Sequence, residues 1–187
     1  MRATCTTRGF TMLETLMVIA VFSLLSIILV NLFLNFGGFY TSQQANIDVV
    51  QSANRLMRDI EVATLVADSV EISHFFSSGT QSTDADSLVL RLPAINASGD
   101  PIAASYDYVA FYASGTAAYR VQEPSGSSAR QSEASEYRDV AALSFMYNAS
   151  STTDVSSVDV MIRTEATEDG RVLQTELVQL VHLRNKP

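Results

Sequence analysis

Glu14 is the residue whose position most demands a chemical explanation, because it lies at the edge of a long apolar run. From residue 16 to residue 36 (LMVIAVFSLLSIILVNLFLNF) the run contains no charged residue and no proline. By insertion scales, a carboxylate beside such a run costs on the order of 2–3 kcal/mol, and less near the membrane interface. We therefore expect Glu14 either to rest among lipid headgroups or to neutralise a positive group.

Side chains that could catalyse a reaction are few elsewhere in the chain. His74 adjoins two phenylalanines and His182 alternates with apolar residues, so structural positions are expected for both histidines. Nucleophile-elbow, phosphate-binding glycine-loop and HExxH patterns do not occur. Cys5 is the only cysteine, which excludes an intramolecular disulfide and a CxxC metal site. The sequence does not predict an enzyme, and it implies no cofactor.

Acidic residues are the remaining candidates for binding chemistry. Asp84, Asp86 and Asp100 could supply oxygen ligands for calcium, but without the spacing of an EF-hand loop we expect solvated turns instead. The chain carries 12 Lys and Arg against 20 Asp and Glu, which gives a formal charge of −8. An acidic balance of this kind disfavours contact with phosphate backbones. We therefore predict no metal site and no direct nucleic-acid binding.

The apolar run requires an element of matching length, and a helix provides it. At the rise of an α-helix, residues 16–36 would cover about 31 Å, enough for the hydrocarbon core of a bilayer. Arg2 and Arg8 precede the run, and no acidic residue occurs before Glu14. The positive-inside rule then leaves the N-terminus in the cytoplasm. A cleaved secretory signal fits less well, because the run is long and no small-x-small site follows it.

The residues around Glu14 form a specific pattern. Residues 8–16 read RGFTMLETL, so that Gly9 precedes Phe10, and Glu14 is the fifth residue counted from Phe10. A short basic leader precedes this stretch and the apolar run follows it. Over residues 8–36 the chain resembles the N-terminal processing motif of type IV prepilins and type II secretion pseudopilins. The order of helix first and sheet after is also similar to J-type minor pseudopilins and related minor pilus-assembly subunits.

This resemblance implies processing steps and partners. A prepilin peptidase would cut between Gly9 and Phe10, and the new Phe10 amine would be N-methylated. Glycine leaves the backbone at the scissile position unhindered. Glu14 would then meet the N-terminal amine of a neighbouring subunit, so that a charge costly in lipid is neutralised only on assembly. Other pilin or pseudopilin subunits, the inner-membrane assembly platform and membrane lipid are the further partners that the resemblance implies.

A second helical pattern follows Gly37 and Gly38, each of which weakens a helix by about 1 kcal/mol and interrupts the apolar run. Apolar residues recur at alternating spacings of four and three: Val49, Ala53, Leu56, Ile60, Ala63, Ala67 and Val70. This stripe predicts one face packed against the protein's own strands. Charged residues three or four positions apart can pair on the wet face; they are Arg55 with Asp59 and Arg58 with Glu61.

Downstream of residue 72 the sequence predicts four to six antiparallel strands. Residues 87–92 alternate, and Pro93 is expected to end that strand. Residues 107–123 predict a hairpin that turns near Ser114-Gly115. Tyrosines 106, 108 and 112 share one of its faces, which we expect to pack against the long helix. Residues 139–148 supply a further strand.

Two more segments complete the β-rich part. Asp169-Gly170 lies between two alternating runs, which is the strongest hairpin signal in the chain. Residues 122–136 (QEPSGSSARQSEASE) are polar and predict a flexible loop.

These patterns together predict an α+β protein. A long N-terminal helix, half membrane-spanning and half amphipathic, would pack on an antiparallel β-sheet head, and this pilin-like arrangement is what the resemblance implies. The expected segments are a leader at 1–9, a transmembrane and polymerisation helix at 10–38, its amphipathic continuation at 39–71, and an extracytoplasmic head at 72–187.

Two classes of function remain open. The resemblance implies a structural or priming minor subunit of a type IV pilus, a competence pseudopilus or a type II secretion pseudopilus. Such a subunit would span the inner membrane once, with its head extracytoplasmic, and would enter the filament on assembly. The alternative is a single-pass membrane-anchored extracytoplasmic binding domain that does not polymerise.

Overall fold

One helix, α1 (Met12–Val66), carries both the apolar run and the amphipathic stripe. The computed structural model describes residues 11–168 and 170–183. Gly37 and Gly38 lie within α1 and do not end it, because a penalty of about 1 kcal/mol per glycine is small beside the cooperativity of a long helix. The chain divides into two compact units, residues 1–43 and 44–187, and α1 contributes residues to each.

The helix ends five residues before the expected boundary at residue 71, and a strand replaces its last turn. Asp68 donates its backbone N–H to the Arg91 carbonyl oxygen at 3.0 Å, which is a bond to a neighbouring strand. Ala67 and Val70 remain buried although they lie beyond Val66. The apolar stripe therefore continues into the core after the helical hydrogen bonding has stopped.

Ten strands follow α1 in the described residues: β1 Ser69–Val70, β2 Ser73–Phe76, β3 Gly79–Ser82, β4 Ser87–Ile95, β5 Pro101–Ser114, β6 Ala117–Glu123, β7 Glu133–Arg138, β8 Val140–Tyr147, β9 Ser157–Glu168 and β10 Arg171–His182. A short 3-10 helix, Thr152–Asp154, lies between β8 and β9. The strands exceed the four to six expected because β1, β2, β3 and β7 are short and lack an alternating apolar pattern.

The strands form antiparallel sheets. A five-stranded sheet has the order β1-β4-β5-β6-β7, a three-stranded sheet has the order β10-β9-β8, and β2 with β3 forms a separate hairpin. The predicted α+β class, with a long N-terminal helix and an antiparallel sheet head, is thus confirmed.

Both predicted hairpin turns are present. β5 and β6 pair up to Ser114↔Ala117, and Gly115 between them has a φ of 64°, a conformation that glycine adopts readily. β9 and β10 pair up to Glu168↔Arg171, and Gly170 has a φ of 73°. Asp169, the other residue of that predicted turn, lies outside the described residues.

Pro93 does not end its strand. β4 continues to Ile95, and the register with β5 shifts between Pro93 and Ile95. The neighbouring strand β1 reaches only as far as Arg91, so Pro93 lies where β4 has become an edge. Proline is tolerated at edges and bulges because the N–H that it lacks has no ladder partner there.

The main core lies between α1 and both sheets. Every residue of the predicted apolar stripe is buried, as expected. The side chains that α1 contributes meet Leu90 and Phe111 of the larger sheet and Val160 and Ile162 of the smaller one in a single cluster.

A second, smaller core lies on the opposite face of the five-stranded sheet. Phe76 of the β2–β3 hairpin is fully buried there, in one cluster with Val89 and Ala110, and Tyr108 and Tyr112 pack against it. The expectation that the tyrosines pack against the long helix is therefore wrong. Alternation along β5 directs Val109 and Phe111 to the main core, which leaves Tyr108 and Tyr112 on the other face.

Candidate membrane and assembly site

The first turn of α1 is capped by a threonine. Glu14 donates its backbone N–H to Thr11 Oγ1 at 3.3 Å and to the Thr11 carbonyl oxygen at 3.0 Å. Thr11 therefore occupies the N-cap position and Glu14 the third helical position, which is the spacing of a capping box. Sequence reasoning overlooks this role, although the T-x-x-E pattern before an apolar run is its signature.

Glu14 is the only one of the predicted processing and assembly residues that the structure places. Its side chain is exposed in the first turn of α1, where a carboxylate gains about 0.3–1 kcal/mol from the positive pole of the helix. Gly9 and Phe10 lie outside the described residues. The position of Glu14 at the end of the apolar helix is thus established, whereas its predicted contact with a neighbouring amine stays a prediction.

The N-terminal part of α1 is long and apolar enough to cross a membrane. An 18-residue window reaches a mean hydropathy of 2.7, and none of that window is buried within the protein. Large apolar side chains such as Phe22, Ile28 and Phe33 are exposed on all sides. A helix that is apolar all round needs an apolar surrounding, which is consistent with a single-pass anchor.

Two hydroxyl groups, one in the apolar run and one beside it, bond to the helix itself. The Thr15 hydroxyl donates to the Met12 carbonyl oxygen at 2.9 Å, and the Ser23 hydroxyl donates to the Ile19 carbonyl oxygen at 2.8 Å. Each hydroxyl is thereby satisfied without water, so these residues do not oppose burial in lipid.

Two asparagines in the same stretch lack such partners. Asn31 and Asn35 are four residues apart and line one groove on the helix surface with Leu32 and Phe36. Neither amide forms a hydrogen bond with any described residue. An amide in hydrocarbon is costly unless another group satisfies it, and a second helix is the usual source of that group. This face of α1 is therefore suited to helix–helix contact.

The polar side chains of the head form structural contacts. His74 stacks on Tyr108 with ring centroids 3.7 Å apart, and its Nε2 lies 3.4 Å from a Glu123 carboxylate oxygen. Arg91 bonds to Asp68, which raises the pKa of the guanidinium. These contacts attach β2 and β4 to their neighbours, and they do not group a nucleophile with a base.

The acidic residues considered for calcium do not form a cluster. Among residues 11–168 and 170–183, no group of three or more potential metal-ligating side chains occurs. Asp84 Oδ1 accepts the backbone N–H of Ala85 at 2.7 Å, and Asp84 pairs with Ser87 as an isolated bridge. Asp84 thus takes part in a turn that leads into β4.

A buried ion pair holds the segment that was expected to be a flexible loop. Asp107 on β5 is fully buried and its carboxylate lies 2.6 Å from Arg130 Nη1. It also accepts the Ser125 backbone N–H and the Ser128 hydroxyl, both at 2.8 Å. The expected loop is present but shorter, because β6 continues to Glu123 and β7 begins at Glu133, which leaves residues 124–132 between them. Asp107 binds the middle of this loop. Nothing in the sequence distinguishes Asp107 from a surface aspartate.

The described residues thus form an α+β fold, and they include one helix that could cross a membrane. Comparison with known proteins finds no matching family model, no matching curated protein and no matching solved structure.

Proposed function

We propose that this chain is a structural or priming minor subunit of a type IV pilus or a type II secretion pseudopilus. In this proposal a prepilin peptidase removes residues 1–9, the Phe10 amine is methylated, and the head lies outside the inner membrane. Glu14 neutralises the amine of a neighbouring subunit as the filament assembles. The work of the protein is polymerisation, and it has no catalytic role.

The observation that carries this proposal is the composition of α1. The helix begins with the Thr11 cap and the exposed carboxylate of Glu14, continues as the apolar run, and ends with the stripe that forms the core of the head. A single helix with these three parts joins a lipid-soluble segment to a folded head. Such a subunit can present the same helix to lipid before assembly and to other helices after it.

The unpartnered face of α1 supports the same proposal. Asn31 and Asn35 have no hydrogen-bond partner among the described residues. In the proposed filament, helices of adjacent subunits surround this face and supply polar partners.

The mass of the mature N-terminus tests the proposal. Methylated Phe10 is the expected first residue. An intact Met1 would indicate the membrane-anchored binding domain that does not polymerise, and a cut near residue 38 would indicate a secreted one. Either result would exclude the filament subunit.

The cleavage position gives a second, independent test. Gly9→Leu should leave the full-length precursor in the membrane, because a branched side chain obstructs the peptidase at the scissile bond. Thr7→Leu is the matched control, since it adds similar bulk two residues earlier and should leave processing intact. Gel migration of both variants in cells that contain the peptidase gives the result. Normal maturation of Gly9→Leu would show that the cleavage site lies elsewhere.

A further inference from the structure

The last strand of the head has an unpaired edge. β10 pairs with β9 from Arg171↔Glu168 to His182↔Ser157 and stands at the end of its sheet. Leu183 donates its backbone N–H to the Ser156 carbonyl oxygen at 2.9 Å. Because hydrogen-bonding direction alternates along an antiparallel strand, odd-numbered residues of β10 point their N–H and C=O groups towards β9.

The even-numbered residues therefore point their backbone groups away from β9. These residues run from Val172 to His182, and no backbone hydrogen bond joins any of them to another described residue outside the ladder. A row of unpaired donors and acceptors is a template for a further strand.

Among the described residues, the other edges of the two larger sheets are protected. β1 is two residues long. β7 carries Glu133, Glu136 and Arg138. The outer edge of β8 is covered, because Phe145 donates its N–H to the Ala85 carbonyl oxygen at 2.7 Å.

β10 lacks nearly all of these protections. It is 12 residues long, contains no proline and pairs with β9 without a bulge. Charged side chains, prolines, bulges and short strands are the devices by which proteins prevent unwanted pairing at an edge. Glu176 is the one carboxylate along the open edge. A long, regular edge with so little protection is suited to pairing with a partner.

Apolar side chains on both faces of β10 are incompletely covered. On the outer face, the exposed fractions of Val172, Val178 and Leu180 are 55%, 65% and 49%. On the inner face, Val181 is buried, whereas Leu177 is only half buried at the margin of the main core. A strand added beside β10 would cover apolar side chains on both faces at once.

The residues of β9 that lie opposite β10 indicate which side chains a partner strand should carry. Glu176 lies opposite Arg163, and Val178 lies opposite Met161. A partner at the open edge meets the same side chains from the other direction, so it should offer a basic residue to Glu176 and apolar residues to Val178 and Leu180. The net charge of −8 also favours a basic partner over a second copy of this chain.

We propose that the open edge of β10 binds an extended segment of another protein as an additional strand of the three-stranded sheet. The segment carries a basic residue opposite Glu176 and apolar residues at the positions next to Val178 and Leu180. This inference does not depend on cleavage between Gly9 and Phe10, so it can fail while the proposed function stands.

Site-specific photo-crosslinking in the full-length chain tests the pairing. A benzophenone amino acid is placed at Val178 or at Leu180, in membranes of cells that produce the protein naturally. Because neighbouring strands run in register, the two sites should crosslink to one segment of another protein at positions two residues apart. The same amino acid at Ala134 on the protected β7 edge is the control and should give no such crosslink.

A backbone variant distinguishes strand pairing from ordinary surface contact. With the photoreactive residue at Leu180, Val178→Pro removes an N–H that faces the open edge and leaves the bonds to β9 intact. Crosslinking should fall at least about tenfold, because the partner loses a hydrogen bond and meets the proline ring. Val178→Thr keeps the N–H and a β-branched side chain, and should crosslink as the parent does.

A charge variant gives a second measurement if Val178→Pro unfolds the head. Glu176→Lys is on the exposed face and should reduce crosslinking at least about fivefold through repulsion of the basic residue. Crosslinks that join two β10 strands would show that a second copy occupies the edge. Such a crosslink between two copies would overturn the proposal. It would also be overturned by crosslinks from Val178 and Leu180 that are not two residues apart on the partner, by crosslinks that neither variant reduces, or by the absence of any crosslink.

Discussion

Glu14 has two physical roles that can be separated by substitution. Its backbone N–H bonds to Thr11, and its carboxylate lies exposed at the start of α1. The first role belongs to the helix end, whereas the second, in our proposal, begins only when a neighbouring amine must be neutralised beside lipid. A substitution that removes the charge but keeps the backbone bond therefore tests the proposed role in assembly without disturbing the end of the helix.

Glu14→Gln should be processed normally but enter filaments poorly, because the amide keeps the size of the side chain and loses its charge. Insertion should be unharmed, since a charge has been removed from an apolar region. Thr11→Val is the matched control, because it removes the capping hydroxyl, leaves Glu14 intact and should assemble. Recovery of subunit in sheared filaments gives the measurement. Undiminished recovery of the Gln variant would reduce Glu14 to an interfacial carboxylate.

Asp107 gives a prediction for the head. The residue is fully buried against Arg130, and Asp107→Asn leaves the guanidinium without its counter-charge. We expect the variant to lose about 3 kcal/mol of unfolding free energy and trypsin to cut faster after Arg130. Asp100→Asn, an exposed position in a turn, should change stability by less than about 0.5 kcal/mol. Equal trypsin cleavage of the two variants would mean that the ion pair does not hold the segment.

At the scale of elements, the contact between α1 and β7 replaces an expected ion pair. Arg55 and Asp59 were expected to pair across solvent, but both contact Tyr137. The Tyr137 hydroxyl donates to Asp59 Oδ2, and the Arg55 guanidinium carbon lies 5.7 Å from the ring centroid. Burial of the ring, and then the bond to Asp59, raise the pKa of Tyr137.

This raised pKa makes stability depend on alkaline pH. Above the ordinary tyrosine pKa near 10, the unfolded phenol ionises while the folded one stays protonated, so the free energy of unfolding falls as pH rises. Urea unfolding between pH 9 and 11.5 should show this loss, at up to about 1.4 kcal/mol per pH unit from this residue.

Tyr137→Phe should be less stable at neutral pH by about 1 kcal/mol and should lose part of the alkaline slope. Burial also raises the pKa of Tyr147, so the double variant with Tyr147→Phe should have a flatter profile still. An unchanged slope in Tyr137→Phe would mean that this phenol ionises equally easily in both states.

Strong periodicity explains which elements the sequence could predict. The stripe from Val49 to Ala63, the alternation of β8 and the turn at Gly115 each combine a regular pattern with the residue types that their structure needs. β7 and the β2–β3 hairpin lack an apolar alternation, so nothing in their own residues indicates a strand. Their positions depend on partners distant in sequence, as when Tyr137 reaches Asp59.

The tyrosines of β5 show a different limit of prediction from the sequence. Alternation predicts that Tyr106, Tyr108 and Tyr112 share a face, but it does not predict which face meets the helix. The five-stranded sheet is apolar on both sides, because the β2–β3 hairpin covers the side opposite α1. Which face of β5 meets the helix is decided by the main core, in which Val109 and Phe111 pack with the buried residues of α1.

At the scale of the whole molecule, the two compact units contain different parts of α1. The first ends at residue 43, and the second begins at residue 44. Every buried residue of the helix lies at Val49 or beyond it. The core of the head thus contains no side chain from the apolar run, which has its own requirement for lipid or for other helices.

A fragment of residues 44–187 should consequently fold without the anchor. It retains the buried face of α1 and both sheets, so we expect a soluble protein with mixed α/β circular dichroism and a single cooperative melting transition. A second fragment, residues 67–187, is the matched control, because it removes Leu56 and Ile60 from the main core and exposes the inner faces of both sheets. That fragment should aggregate or melt without cooperativity. A gradual melt of the longer fragment, or equal stability of the two, would contradict a head built around the second half of α1.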